Sequence, residues 1–203
     1  MASAQSVRSG GFSLSSWRTR DIVVSAALAV ALGVFWAYVW GYVWLTGRGL
    51  SPQLSFILDG FYIVGGVLVG YIVRRPGAAL LGEMIAALIE MPLTPFGAVT
   101  LWLGFLQGIG VEVVFLAFGY RRWNTSVLLL AGAVGAFVEY WAYDWVAYHY
   151  GSLAISIQIV NVVLKIIGGA VLAGLAGKLL GDALAATGVL DNFPIGEGRR
   201  KAI

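Results

Sequence analysis

Six apolar stretches, each long enough to cross a lipid bilayer, alternate along this chain with short polar punctuation, and that alternation leaves few folds open. A membrane-spanning helix needs roughly 20 mostly apolar residues. Such runs lie at about 21–46, 55–73, 76–93, 96–119, 125–149 and 153–182. The expected fold is therefore an all-α integral membrane protein, a bundle of six transmembrane helices in the bilayer of a cell membrane. The third run is the shortest and most polar, and could instead pair with the fourth as one re-entrant unit. Composition points the same way: of 203 residues 60% are hydrophobic and 11% charged, with a mean hydropathy of +0.87. That leaves too little charged surface for a water-soluble domain.

Basic residues follow every second boundary. Arg18 and Arg20 precede the first run, Arg74 and Arg75 follow the second, Arg121 and Arg122 the fourth, and Arg199, Arg200 and Lys201 the sixth. Arg48 is the only Lys or Arg in the opposite loops. Because cytoplasmic loops are enriched in Lys and Arg, both termini are expected in the cytoplasm. Residues 1–20 read as a flexible leader without a signal-peptide pattern, 21–182 as the membrane domain and 183–203 as a cytoplasmic tail.

Glu83, Glu90, Glu112, Glu139, Asp144 and Lys165 fall inside the predicted spans, where an ionisable group must face protein or water. Counting about 1.5 Å per residue from each helix end separates two depths. Glu83, Glu112 and Lys165 fall toward the cytoplasm, where Lys165 would neutralise a glutamate in a structural ion cluster. Glu90, Glu139 and Asp144 fall toward the outside, level with Trp102, Tyr140, Tyr143, Gln158 and Asn161, with Gln107 near the middle. Helical spacing pairs Glu83 with Glu90, Glu139 with Tyr143, Tyr140 with Asp144, and Gln158 and Asn161 with Lys165. Carboxylates among Trp and Tyr at one level suit a flat, cationic or amino-bearing ring. The predicted binding set is Glu83, Glu90, Trp102, Gln107, Glu139, Tyr143, Asp144 and Asn161.

Aromatic residues from Phe35 to Trp44 read as an interfacial belt, with Tyr38 and Tyr42 available to the pocket wall. Asp59 and Tyr62 could lie under an external lid. One histidine, His149, and no cysteine give no reason to expect a metal. No G-x-S-x-G or H-E-x-x-H motif is present, so no catalytic residue, and no cofactor or nucleic-acid partner, is expected. The expected role is small-molecule uptake; the alternative is a stand-alone proton- or ion-coupled transporter with Glu83, Glu112 and Lys165 as its relay. In the first run Ser25, Ala29 and Gly33, and in a second register Ala27 and Ala31, repeat at four-residue spacing, which allows close helix approach.

Three separated motifs carry a family resemblance. They are Pro76-Gly77-Ala78-Ala79 leading to Glu83, Ala86-Ala87 and Glu90; Gln107-Gly108-Ile109-Gly110-Val111-Glu112; and Ala173-Gly174-Leu175-Ala176-Gly177-Lys178 ending in Thr187-Gly188-Val189-Leu190. In these the chain resembles the YkoE family, substrate-binding S components of energy-coupling factor (ECF) vitamin transporters, over most of residues 18–195. The resemblance implies a six-helix S-component fold and an outward-facing site for thiamine or its hydroxymethylpyrimidine precursor. It also implies a transmembrane coupling subunit and two ATPase subunits as partners, with docking at Ala27 and Ala31. No phosphate-binding G-x-x-x-x-G-K-[ST] loop occurs, so ATP would be hydrolysed by those partners.

Overall fold

The computed structural model describes residues 17–196. Arg8 of the expected leader and the basic group Arg199, Arg200 and Lys201 lie outside them. Six helical runs follow one another: α1 Thr19–Leu50, α2 Pro52–Val73, α3 Ala78–Glu90, α4 Val99–Ala117, α5 Thr125–Ala147 and α6 Ile155–Ala186. Each falls on one of the predicted runs. The third is a separate helix, but with 13 residues it is too short to span as a straight helix by itself. Three runs contain a wide π turn, at Trp36–Trp40 in α1, Tyr140–Asp144 in α5 and Gly169–Leu175 in α6.

Helix α2 occupies the middle of the bundle. Its second half, Val64–Val73, is apolar on every side and buried at every residue, as expected of a helix with no polar stripe. The other five surround it, with α1, α3, α4, α5 and α6 packing in that order. Closest approach comes where glycines meet: Gly60 of α2 lies against the backbone of Gly168 and Gly169 in α6, and Gly132 of α5 against Gly169 and Gly174. A side chain at any of these contacts would hold the helices apart.

Arg20, Arg74 and Arg75 gather at one end, away from Arg48. Trp17 Nε1 donates to the Pro76 carbonyl (3.3 Å), and Arg75 pairs with buried Asp21 (2.9 Å). The Arg74 guanidinium lies over the rings of Tyr71 and Trp123. After α6 the chain turns under this end and buries Leu190 and Phe193 against Leu68, Ile72 and Ala78.

Glu112 belongs to this end as a helix cap. Its carboxylate accepts from the backbone N–H of Gly77 (2.6 Å), Ala79 (3.0 Å) and Leu80 (3.4 Å), the unpaired donors at the start of α3, and from the Tyr120 hydroxyl (2.5 Å). A carboxylate there also meets the positive end of the helix dipole. Burial and that hydrogen bond to Glu112 hold the Tyr120 phenol above its ordinary pKa.

Candidate functional site

At the end opposite the basic residues, α1 to α5 enclose a chamber of about 80 Å³, space for several waters or one small ring. Each helix presents one stripe to it. Trp36 and Trp44 of α1 are eight residues apart and buried, with Trp40 between them donating to the Leu58 carbonyl (3.1 Å). From α2 come Phe56, Asp59 and Tyr62, and from α3 comes Glu90. Helix α4 offers Thr100, Leu103, Gly104 and Gln107 at helical spacing. Glu139, Tyr143 and Asp144 enter from α5.

The charged wall lies on the α5 and α6 side. Lys165 of α6 is fully buried behind the chamber and makes ion pairs with Asp59 (3.2 Å), Glu139 (3.0 Å) and Asp144. Gln107 Nε2 donates to the second oxygen of Glu139 (3.0 Å). Glu90, on the α3 side, is buried, and its carboxylate has no hydrogen bond or ion pair among the described residues.

The mouth is aromatic. Trp44 meets Phe96 edge to face at 6.0 Å, and the Arg48 guanidinium lies over the rings of both Trp44 (5.2 Å) and Tyr148 (5.7 Å). Tyr148 and Tyr150 stack at 5.5 Å. Burial, with the Asp144 carboxylate nearby, pushes the Tyr150 phenol up to about 12.

Several expectations need correction. Lys165 pairs with the outer carboxylates and with neither Glu83 nor Glu112, so the inner ion cluster does not form. Glu83 is buried two turns below Glu90, outside the chamber lining, and accepts from the Gly66 N–H (2.5 Å). Trp102 is 50% exposed and stacks on Phe105 of its own helix, because it lies on the far side of α4 from the Thr100 and Gln107 stripe. Asn161 is buried one turn before Lys165 without lining the chamber. Tyr38 lies outside the chamber lining and Tyr42 lines an adjoining outer cleft with Trp44, Arg48, Glu90 and Tyr148, whereas Trp36 and Trp44 of the same aromatic run enclose the chamber itself. Asp59, Trp36, Tyr62 and Arg48 line the chamber and stood outside the predicted binding set.

Five helices long and apolar enough to cross a membrane, a shorter sixth and a half-polar chamber at one end describe a multi-pass membrane protein. Residues 20–138 match the family described as the permease component of ABC-type cobalt transport systems. YkoE of Bacillus subtilis (strain 168), provisionally named an HMP/thiamine permease protein, is 33% identical over 93% of this chain and 94% of its own length. A crystal structure of an S component of an ECF transporter superposes with a TM-score of 0.87 at 32% identity, covering 92% of this chain and 95% of that one. The chain belongs to the YkoE family of ECF S components.

Proposed function

We propose that this subunit captures thiamine or its hydroxymethylpyrimidine precursor (HMP) from the outer side for ATP-driven uptake. The observation that carries the reading is Glu90, a buried carboxylate facing the chamber with no partner among the described residues, amid the rings of Trp36, Trp44, Tyr62 and Phe96. An aminopyrimidine offers the donors such an acceptor needs and a flat face for the aromatic walls. The basic end then faces the cytoplasm by the loop-charge rule, which leaves the chamber open to the outside. A cobalt cargo is less well supported, since the described residues hold no group of three His, Cys, Asp or Glu arranged for a metal ion. The stand-alone proton-coupled alternative loses its relay, because Glu83, Glu112 and Lys165 each have other partners.

Titrating the detergent-purified chain with thiamine and, separately, HMP will quench tryptophan fluorescence saturably. Glu90→Gln, which keeps the shape but loses the charge, will weaken binding roughly tenfold or more. Unchanged affinity in that variant would remove Glu90 from the site, and silence with both ligands would remove the reading.

Ala27 and Ala31 lie on the exposed face of α1, whereas Ser25, Ala29 and Gly33 pack inside the bundle. We assign the exposed pair to docking on a coupling subunit that works with two ATPases. Ala31→Trp will then abolish co-purification with the coupling subunit while leaving fluorescence quenching by thiamine intact. Retained co-purification would place the interface elsewhere.

A further inference from the structure

The three carboxylates around Lys165 are not held equally. Asp144 is in the tightest contact, and Glu139 adds a second tie through Gln107. Asp59 makes the longest of the three contacts, at 3.2 Å, and its side chain is 18% exposed against 5% for Glu139 and 7% for Asp144. It also comes from a different helix, at the point where α2 tightens into the 3-10 turn Gly60–Ile63. Of the three it is the one that can leave Lys165 without pulling α5 from α6.

The groups around it set the charge balance. Trp44 faces it from α1, Tyr62 from its own helix, Glu90 and Gln107 across the chamber from α3 and α4, and Glu139, Asp144 and Lys165 from α5 and α6. Arg48 is at the mouth, held on ring faces. The buried chamber thus sets four carboxylates against one ammonium, and uncompensated buried charge is expensive.

The geometry points to Asp59 as the residue that makes this chamber prefer a cationic ligand to a neutral one carrying the same ring, by exchanging Lys165 for the ligand's positive charge. The inference rests on the ligand reading above and adds its charge selectivity. In the empty chamber one ammonium cannot balance four buried carboxylates, so the inference has the surplus negative charge offset by protons. Entry of a fixed cation sends one of those protons to bulk water, and the net charge of the chamber stays as it was. A neutral aminopyrimidine brings no charge and releases no proton.

Calorimetry on the full chain tests this, with thiamine and HMP each titrated in two buffers of different ionisation enthalpy. The wild type will release about one proton per thiamine and none per HMP. Asp59→Asn will lose roughly tenfold or more in thiamine affinity, while HMP affinity stays within about twofold. Equal losses for both ligands, no loss for either, or no proton release from the wild type would overturn the role of Asp59 and leave the ligand reading standing. If the wild type binds neither ligand, the ligand reading falls and this inference with it. The proton count needs no variant, so a count of zero overturns the charge exchange even where Asp59→Asn fails to fold.

Discussion

Lys165→Ala will destabilise the bundle by about 3–5 kcal/mol, the range for removing one partner of a buried ion pair. The ammonium is fully buried and touches three carboxylates from two other helices. Without it Asp59, Glu139 and Asp144 are left facing one another with no cation between them. Each must then take a proton or be drawn toward the chamber. The loss will read as a fall in melting temperature of roughly 10 °C or more in detergent. Adding Asp144→Asn to Lys165→Ala will recover part of the loss, because one of the orphaned charges goes with the ammonium. A single Lys165→Ala variant that melts with the wild type would mean that the carboxylates are neutral in the resting protein and that Lys165 holds nothing together.

The second large effect needs one methyl group. Gly60→Ala places a Cβ inside the contact distance of the backbone carbon and oxygen of Gly168, and nothing there is a flexible side chain that could turn aside. The helices must separate, at about 3 kcal/mol, the upper part of the range for overpacked sites. Gly60 follows Asp59 directly, and Gly168 is three residues past Lys165. The same separation therefore shifts Asp59 out of its place in the chamber wall, and thiamine affinity will fall together with melting temperature. Gly49→Ala is the control: its Cβ meets nothing within 4 Å, on an exposed helix end, so it will be neutral or stabilising by about 0.5 kcal/mol. Equal melting of the two variants would show that α2 and α6 are not locked at this crossing.

The helices were legible in the sequence because bilayer thickness sets their length and polar residues bound them. The inward residues at ordinary helical spacing were legible too: Glu90, Gln107, Glu139 and Asp144 all line the chamber. The partner of Lys165 was not. Counting depth from the ends of the sixth run put it beside Glu83 and Glu112, but α6 has 32 residues and includes a π turn, so its ends do not mark the membrane faces. A second cause lies in α5. Residues five apart sit about 140° apart around an α-helix, so Glu139 was matched with Tyr143 and not with Asp144. The π turn at Tyr140–Asp144 brings both carboxylates to Lys165. Glu112 was misread for another reason: a carboxylate inside an apolar run also serves as the cap of a neighbouring helix, and sequence spacing does not reveal helix ends from other parts of the chain.

The wide turns also bear on how this chain is compared with its kin. A π turn holds one residue more than the α-helical turn it replaces, so a relative that lacks it will differ by a single-residue gap within a membrane helix, where gaps are ordinarily disallowed. Closing that gap by force would slide Asp144, or Trp44 in α1, one place out of step with its counterpart in the relative. Such lone gaps at Trp36–Trp40 and Tyr140–Asp144 are therefore markers to look for, since they separate relatives that share this acid wall and its aromatic mouth from relatives that share only the six helices.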